Sequence, residues 1–272
     1  MSNDEKTPEV LVDCLSVVIP VYNEADTLPQ VLKRVLALPH LLEVVIVDDG
    51  STDGTRAVAN SFVSRDARVK VSTLPKNSGK TAALKLGFSM TRGDIVVVQD
   101  ADLEYDPTEI PSLIQPILEG HADVVYGSRF LVRKAARVLY YYHFLANKFL
   151  TFLSNLMTNL NMTDIETGYK AFRGEIIRNM LITSSGFGFE VEVTAKIAKL
   201  KCAVYEIPIS YYGRTYEQGK KIGFSDGVLA LWLIFRFNLF CSLQNSFREL
   251  PQLQGRSHHL PELTSNLSDH SA

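Results

Sequence analysis

The first half of the chain alternates between short runs of β-branched residues and segments whose apolar positions recur with helical spacing. The β-branched runs predict strands at Leu15 to Ile19, Glu43 to Val47, Val69 to Thr73, Asp94 to Val98 and Asp123 to Tyr126. The segments between them predict helices around residues 26–37, 54–65, 79–90 and 107–118. Strands that alternate with helices pair in parallel through right-handed crossovers, so we expect an α/β fold with a mostly parallel sheet flanked by helices.

The second half contains a predicted strand at Tyr205 to Ser210 and, before it, a helical segment over residues 138–160. The polar positions of that helix form one stripe: His143, Asn147, Thr151, Ser154 and Thr158. Its apolar residues cover more than a core-facing stripe, so we expect it to lie against lipid, a partner subunit or a second helix; burial in an ordinary core is the alternative. The apolar run 227–240 contains Arg236 and falls short of the roughly 20 residues that a membrane span needs.

Composition limits the size and class of the protein. The chain has 272 residues, of which 46% are apolar, enough to bury one large core. We expect four segments: a flexible N-terminus (1–14), a main domain (15–225), an amphipathic membrane- or partner-associated segment (226–250) and a disordered tail (251–272). The formal net charge of -2 gives no reason to expect nucleic acid as a partner.

The N-terminus and the cysteines indicate a compartment. Residues 1–9 are polar and acidic, unlike a secretory signal. Cys14, Cys202 and Cys241 are well separated and form neither a CxxC pair nor a zinc-site spacing. These features predict a reduced, cytoplasmic location.

Two carboxylates, Asp100 and Asp102, directly follow the apolar run 95–99. Open α/β sheets bind ligands at the carboxyl ends of their strands. Because carboxylates bind hard cations such as Mg²⁺ or Mn²⁺, and these cations hold diphosphates, the pair suggests a nucleotide-diphosphate site.

Further polar clusters follow the first two predicted strands, at residues 20–24 and 48–54. Ser51, Thr52 and Asp53 are interpreted mainly as turn and helix-capping residues. Turn chemistry does not explain why acidic groups recur at one edge of the sheet, so Asp49 and Asp102 are interpreted as functional.

The segment 76–81 ends like a P-loop, with Gly79, Lys80 and Thr81. A P-loop needs a glycine five positions before the second one, and this chain has Leu74 there, followed by Pro75. The pattern therefore argues against an ATPase.

Four motifs in this order resemble the family-2 glycosyltransferases of the GT-A fold, and more narrowly the polyprenyl-phosphate sugar synthases of the dolichyl-phosphate mannose synthase type: Val18–Glu24, Val47–Thr55, Asp100–Asp102 and Gly127–Arg129. The resemblance covers roughly residues 15–225. It implies that four residues hold the nucleotide base and ribose, namely Pro20, Tyr22, Glu24 and Asp49. It also implies that Asp100, Ala101 and Asp102 serve the diphosphate and a metal ion, Mg²⁺ or Mn²⁺. Lys80 would lie near the nucleotide, or would be a solvated lysine at a helix start.

One position departs from the family pattern. Relatives of the lipid-phosphate branch often carry Gln where this chain has Glu104. A third carboxylate there could ligate the metal directly. The alternative is that Glu104 caps the helix that begins near Pro107.

The resemblance extends into the second half. Residues 164–172 look like the family segment near the reacting sugar, in which Asp164 is the candidate catalytic residue. Residues 187–192 resemble an aromatic and acidic turn beside the acceptor, where Glu190 would orient sugar hydroxyls and Glu192 could face solvent. Residues 212–222 look like the family's mobile loop, from which Arg214 and Lys220, or Lys221 in its place, would approach the diphosphate.

The stretch from Val124 to Thr163 contains no Asp or Glu, in a chain with 30 acidic residues. Its basic residues are Arg129, Arg133, Lys134, Arg137 and Lys148. This pattern fits an anionic acceptor or an anionic membrane surface, and the alternative is a basic loop balanced by acids from elsewhere. Arg129, together with Arg133, Lys134 or Arg137, is the candidate clamp for an acceptor phosphate.

The sequence thus predicts an inverting enzyme, peripherally bound at the cytoplasmic face of a membrane. It would move a hexose or N-acetylhexosamine from a UDP- or GDP-linked sugar to a polyprenyl phosphate, alone, as a homo-oligomer or with a membrane partner subunit. One alternative is a family relative that glycosylates a hydroxyl, with Asp164 or Glu190 as base. Another is a non-catalytic adaptor that binds sugar nucleotides.

Overall fold

The computed structural model describes residues 13–131, 137–138, 140–214 and 224–253, and all structural statements below refer to these ranges. Strands and helices alternate through the first half, as the sequence predicts. The strands are β1 (Leu15–Val21), β2 (Leu41–Asp48), β3 (Val69–Thr73), β4 (Ile95–Val98), β5 (Val124–Ser128), β6 (Lys170–Arg173) and β7 (Val204–Pro208). The helices are α1 (Leu28–Val35), α2 (Thr55–Val63), α3 (Lys80–Met90), α4 (Ile110–Leu118), α5 (Tyr141–Thr158), α6 (Gly174–Asn179), α7 (Phe189–Leu200) and α8 (Phe224–Leu239).

The strands form one sheet in the order β3-β2-β1-β4-β6-β5-β7. The predicted mostly parallel arrangement is confirmed, with one exception that the sequence analysis missed. Strand β6 lies between β4 and β5 and runs antiparallel to both. It is only four residues long and begins with a lysine, so its pattern is too short and too polar to stand out.

Alternate residues of the central strands point to opposite faces of the sheet and build two cores. Val17 and Ile19 pack with α1 and α4 on one side. Val18 and Val47 pack with α3 and α7 on the other. Burial on both faces explains why these strands appear in the sequence as continuous apolar runs.

Helices α5, α7 and α8 pack on one another and form a layer on the second side of the sheet. Helix α5 buries its polar face and exposes its apolar face, the reverse of an ordinary surface helix. The small polar residues Thr151 and Ser154 are buried, whereas Phe152 and Leu156 are 63% and 69% exposed. The expected contact with a second helix is confirmed, because α5 packs against α8.

Helix α8 also exposes apolar side chains, among them Val228, Leu229, Trp232, Phe235 and Leu239. We call these residues, together with Tyr141, Tyr142, Leu145, Phe149, Phe152 and Leu156 of α5, the apolar helix face. Within the described ranges, no helix combines the length and the hydropathy that a membrane span requires.

Residues 187–192 do not form only a turn, because α7 begins at Phe189. The prediction that Glu192 could face solvent is wrong. Its carboxylate is buried, accepts hydrogen bonds from the amides of Thr183 and Ser184, and pairs with Lys196 at 2.5 Å. These bonds hold the start of α7, and with it Glu190, against the sheet.

Several predicted features lie outside the described residues. These are nearly all of the flexible N-terminus (1–14) and of the disordered tail (251–272), together with Arg133, Lys134, Lys220 and Lys221.

Candidate active site

The loops that follow β1 and β2 are tied together by side chains that bond to backbone. The amide of Asn23 donates to Ser51 Oγ at 3.0 Å, and the amide of Thr52 donates to Asn23 Oδ1 at 2.9 Å. The carboxylate of Asp53 accepts from the amide of Thr55 at 2.9 Å. The interpretation of Ser51, Thr52 and Asp53 as turn and capping residues is therefore confirmed.

Asp49 organises the start of α3. Its two carboxylate oxygens accept hydrogen bonds from the amides of Ser78 (2.7 Å) and Gly79 (2.8 Å). Gly79 has φ +90°, and a Cβ there would lie 3.1 Å from the Cα of Gly186, so a side chain would be strained at this position. The next residue is Lys80, whose side chain is thereby aimed at the end of β4. A role for Asp49 in holding the nucleotide stays a prediction.

Lys80 and Asp100 form an ion pair at the end of β4. The ammonium lies 2.9 Å from Asp100 Oδ1, 3.0 Å from Oδ2 and 3.4 Å from Glu190 Oε1. The alternative of a solvated lysine is wrong, because the Lys80 side chain is only 17% exposed. Gly168 covers the pair so closely that a Cβ there would lie 2.5 Å from Asp100 Oδ2.

Asp102 lies beside two other acidic groups. Loss of solvent around its carboxyl, followed by the charges of Asp100 and Glu104, raises the pKa of Asp102 to about 7. The residue between Asp102 and Glu104, Leu103, has φ +62°, a strained value for a leucine. Carboxylates that repel one another are suited to bind a divalent cation, so Asp100 and Asp102 could hold Mg²⁺ or Mn²⁺.

Glu104 makes contacts that neither expectation included. The helix-capping alternative is wrong, because the side chain of Asp106 caps the turn at Pro107 by accepting from the amide of Thr108. The oxygens of Glu104 accept from the amide of Arg214 (2.7 Å) and the hydroxyl of Tyr211 (2.9 Å). Within the described ranges no three acidic, histidine or cysteine side chains gather closely enough to hold a metal ion. Glu104 as a metal ligand stays a prediction.

Arg214 lies across the ends of β1 and β4. Its guanidinium donates to both carboxylate oxygens of Glu24, at 2.9 and 2.8 Å, and to the carbonyl of Asp102 at 2.8 Å. These three residues line a pocket of about 520 Å³, together with Asn23, Asp53, Leu103, Arg137 and Tyr212. The structure thus brings Glu24, Asp102 and Arg214 together, as the sequence predicted for a donor site.

Pro20, Tyr22 and Ala101 occupy the predicted positions at the strand ends. Pro20 belongs to β1 and is in register with Val47 of β2. Tyr22 follows β1 directly, and Ala101 is buried between Asp100 and Asp102. Their contacts with a nucleotide stay predictions.

Arg129 and Asp164 form a second ion pair at the end of β5, in which Asp164 is buried and the Arg129 side chain is 9% exposed. The guanidinium donates to both carboxylate oxygens, each at 2.7 Å, and the Arg129 amide donates at 3.1 Å. Asp164 therefore positions Arg129. Because both of its oxygens are occupied by a cation, the carboxylate is poorly suited to act as a base.

Two residues that the sequence analysis left without a role belong to this part of the site. Glu206 of β7 accepts hydrogen bonds from the amides of Thr163 (2.9 Å) and Asp164 (3.2 Å), which holds the segment that carries Asp164. The ammonium of Lys148 lies 4.6 Å from the centre of the Phe130 ring, and the Arg129 guanidinium lies 5.5 Å from the same centre.

Glu166 and Glu190 each keep a buried carboxylate oxygen without a hydrogen-bond partner in the described structure. Burial, followed by the nearby charge of Glu190, raises the pKa of Glu166 to about 7. Burial also lowers the pKa of the neighbouring Lys170 to about 8, and its ammonium donates to the carbonyls of Ile165 and Thr167. Glu166 gave no signal in the sequence, because an acidic residue beside a turn is usually exposed.

Comparison with known proteins identifies a family and several similar proteins. The family described as "Glycosyl transferase family 2" matches residues 16–181. The chain is 32% identical to the undecaprenyl-phosphate mannosyltransferase of Micrococcus luteus over 216 residues, which cover 76% of this chain and 86% of the relative. It is 31% identical to the polyprenol monophosphomannose synthase of Mycolicibacterium smegmatis over 214 residues, 76% of this chain and 80% of the relative.

Two further proteins extend the comparison. The chain is 32% identical to the undecaprenyl-phosphate 4-deoxy-4-formamido-L-arabinose transferase of Pseudomonas aeruginosa over 214 residues, 77% of this chain and 60% of the relative. Among solved structures, glucosyl-3-phosphoglycerate synthase of Mycobacterium tuberculosis in complex with Mn²⁺ and UDP-glucose superposes with a TM-score of 0.66 at 21% identity, covering 83% of this chain and 79% of that one. This last similarity concerns the fold.

The raised pKa of Glu166 predicts a pH-dependent stability. Below pH 4.5 Glu166 is protonated in both the folded and the unfolded state, so it does not lower the free energy of unfolding. Above about pH 7 it is ionised in both states, and burying the charge lowers the free energy of unfolding by the full amount. We expect Glu166→Gln to be more stable than the wild type at pH 8, by about 1–3 kcal/mol, with the difference shrinking towards pH 5. Urea unfolding at both pH values measures it. The exposed-site control Glu249→Gln should match the wild type at each pH, and a pH-independent effect of Glu166→Gln would contradict the assignment.

Proposed function

Because this chain belongs to glycosyltransferase family 2, we propose that it transfers a hexose or N-acetylhexosamine from a nucleotide-diphosphate sugar to a polyprenyl phosphate, with inversion at the anomeric carbon. Two of the relatives above are named for mannose transfer or mannose-phosphate synthesis on a polyprenyl carrier, and a third for transfer of an arabinose derivative to undecaprenyl phosphate. The shared element of these names is the lipid phosphate. The sugars differ, so the proposal leaves the sugar open.

The donor side of the proposal is supported by the pocket at the ends of β1 and β4. Glu24 and Arg214 line it, and Asp102 closes it. The two carboxylates of Asp100 and Asp102 would hold Mg²⁺ or Mn²⁺, and a neighbour in fold has been crystallised with Mn²⁺ and UDP-glucose. Bound there, the cation would offset the negative charge that builds on the departing diphosphate.

The observation that carries the acceptor side is the environment of Lys148. Its ammonium lies over the Phe130 ring beside Arg129 and has no carboxylate of the described residues within salt-bridge distance. The segment 124–163 supplies no acid of its own. Two cations lie beside aromatic rings, and among the described residues only Arg129 is paired with a carboxylate. This arrangement favours a phosphate monoester over a neutral hydroxyl as the incoming group. Arg137, which donates to the carbonyl of Gly213 at 2.9 Å and lines the donor pocket, would extend this clamp.

The proposed reaction needs no strong base. An oxygen of the acceptor phosphate, already ionised at neutral pH, attacks the anomeric carbon and forms the new C–O bond. The bond from that carbon to the diphosphate breaks on the opposite side, and its electron pair leaves with the nucleoside diphosphate. Arg129 and Lys148 would orient the attacking phosphate. Lys80 and Arg214 would stabilise the negative charge that builds up on the leaving diphosphate.

The ion pairs weigh against the two alternatives. A hydroxyl acceptor needs a positioned base, but both oxygens of Asp164 bind Arg129. Glu190 keeps one oxygen without a partner among the described residues, so it is the base that this alternative would use. A non-catalytic adaptor would have no use for a second cation, Arg129, held in place at the end of β5. Both alternatives make different predictions in the assay below.

The apolar helix face supports peripheral association with a membrane. Apart from Lys148, helix α5 carries no charged residue. On α8, Arg236 is exposed and lies 5.1 Å from the ring of Trp232, an arrangement typical of an interfacial helix. Shallow insertion of this face would bring Lys148 close to the lipid headgroups, where a polyprenyl phosphate presents its phosphate.

The central test measures nucleoside-diphosphate release from a panel of UDP- and GDP-sugars with Mg²⁺ or Mn²⁺, with and without polyprenyl phosphate. We expect release to require the lipid phosphate, and Asp102→Ala to lose at least about 100-fold in kcat/KM because a ligand of the cation is gone. Glu119→Ala serves as the surface control. Donor binding without lipid-dependent release would redirect the search to hydroxyl acceptors, and binding without any turnover would favour the adaptor.

A second prediction concerns Lys148. We expect Lys148→Ala to raise the KM for polyprenyl phosphate about 10-fold, because one charge-assisted contact is lost, and to leave the KM for the donor unchanged. Steady-state kinetics measures both constants. Lys148→Arg should recover most of the loss, and Lys85→Ala, which removes an exposed cation from α3, should have no effect. An unchanged acceptor KM in Lys148→Ala would remove this residue from the clamp.

A third prediction concerns the apolar helix face. We expect the double variant Phe149→Ser/Trp232→Ser to bind vesicles of phosphatidylcholine and phosphatidylglycerol at least about 10-fold more weakly, because two large apolar side chains no longer insert. Co-sedimentation with vesicles measures the partition. The control Val63→Ser removes an exposed apolar residue from α2, on the opposite side of the sheet. Equal losses in both variants would show that the face has no specific role.

A further inference from the structure

The contact between Lys80 and Asp100 poses a problem for a cation at the same carboxylate. The ammonium of Lys80 lies within 3.0 Å of both oxygens of Asp100, which is the position from which a divalent cation would bind them. Mg²⁺ binds carboxylate oxygens at about 2.1 Å and cannot share that position with an ammonium. A divalent cation that binds both oxygens of Asp100 therefore competes with Lys80 for this position.

The surroundings leave little room for both. The Lys80 and Asp100 side chains are 17% and 18% exposed, and the backbone of Gly168 covers them. A Cβ at Gly168 would lie 2.5 Å from Asp100 Oδ2 and 3.0 Å from Lys80 Nζ. Two positive charges confined to this space would also repel each other strongly, because the site excludes most water.

The ammonium has another place to go. Glu190 Oε1 lies 3.4 Å from Lys80 Nζ, and the second oxygen of Glu190 is buried without a partner in the described structure. A nucleoside diphosphate in the neighbouring pocket would offer further acceptors. Arg214 is likewise a cation paired with a carboxylate: its guanidinium is neutralised by Glu24, which lines the pocket.

We propose that Lys80 makes binding of the divalent cation conditional on the nucleoside diphosphate. The diphosphate draws the Lys80 ammonium away from Asp100 towards itself and Glu190, and the divalent cation then takes the vacated position on Asp100. Each ligand thereby increases the affinity for the other, and the coupling is reciprocal. This inference rests on the proposed function, in which Asp100 and Asp102 hold the cation of a nucleotide-sugar site.

The test measures Mn²⁺ binding by isothermal titration calorimetry and by the electron paramagnetic resonance signal of free Mn²⁺, with and without UDP or GDP. For the wild type we expect Mn²⁺ to bind at least about 10-fold more tightly in the presence of the nucleoside diphosphate. Lys80→Met removes the competitor, so it should bind Mn²⁺ alone at least about 10-fold more tightly than the wild type. The coupling between the two ligands should shrink in the same variant.

Two further variants keep the result interpretable. Lys80→Gln keeps a hydrogen-bond donor for Asp100 but carries no charge, so it should also bind Mn²⁺ alone more tightly than the wild type. It provides this measurement if Lys80→Met folds poorly. Circular dichroism checks the fold of both variants. Lys85→Met, an exposed lysine on the same helix, should match the wild type.

The possible outcomes separate the inference from the function on which it rests. If both Lys80 variants are folded and bind Mn²⁺ alone no more tightly than the wild type, the competition is overturned while the donor site stands. If wild-type protein binds neither UDP nor GDP in the presence of Mn²⁺, the proposed function fails and the inference fails with it.

Discussion

The accumulation of negative charge at one edge of the sheet is the constraint around which the site is built. Asp100, Asp102 and Glu24 follow strands β4 and β1, and Glu190 approaches from α7. Carboxylates that share a poorly hydrated space raise one another's pKa values, as at Asp102, and destabilise the fold unless cations balance them. Lys80 and Arg214 supply that balance from two different segments. Lys80 pairs with Asp100 and Glu190, and Arg214 pairs with Glu24 in the wall of the pocket.

The same edge contains carboxylates that bind backbone amides, and these hold the loops in position. Asp49 bonds the start of α3, Glu104 bonds the segment that begins at Tyr211, and Glu206 bonds residues 163 and 164. Each therefore places a cation: Lys80, Arg214 and, through Asp164, Arg129. A carboxylate that accepts two amides gains charge-assisted bonds and keeps a cationic side chain in one orientation. The acidic residues of the site thus form two groups. One group could bind a cation, and the other holds the cationic side chains in position.

Arg129 connects the donor edge with the helix layer. It lies at the end of β5, pairs with Asp164, and shares the Phe130 ring with Lys148 of α5. Helix α5 buries its small polar residues and exposes its aromatic ones, so the same helix that carries Lys148 presents an apolar surface. A domain with such a face is suited to a substrate that is anionic at one end and apolar at the other.

The sequence by itself determined the α/β class, the mostly parallel sheet, the place of Asp100 and Asp102 at the end of β4, and the excess of apolar surface on α5. These features depend on local periodicity and on which residues follow a strand, so they are visible without knowledge of distant contacts. Only the tertiary structure decided the antiparallel insertion of β6, the burial of Glu192, the capping by Asp106 in place of Glu104, and the pairing of Arg129 with Asp164. It also brought Lys148 beside Arg129, and Glu206 against the segment that carries Asp164. In each case a polar side chain has several possible partners, and differences of a few ångströms between segments far apart in the chain choose among them.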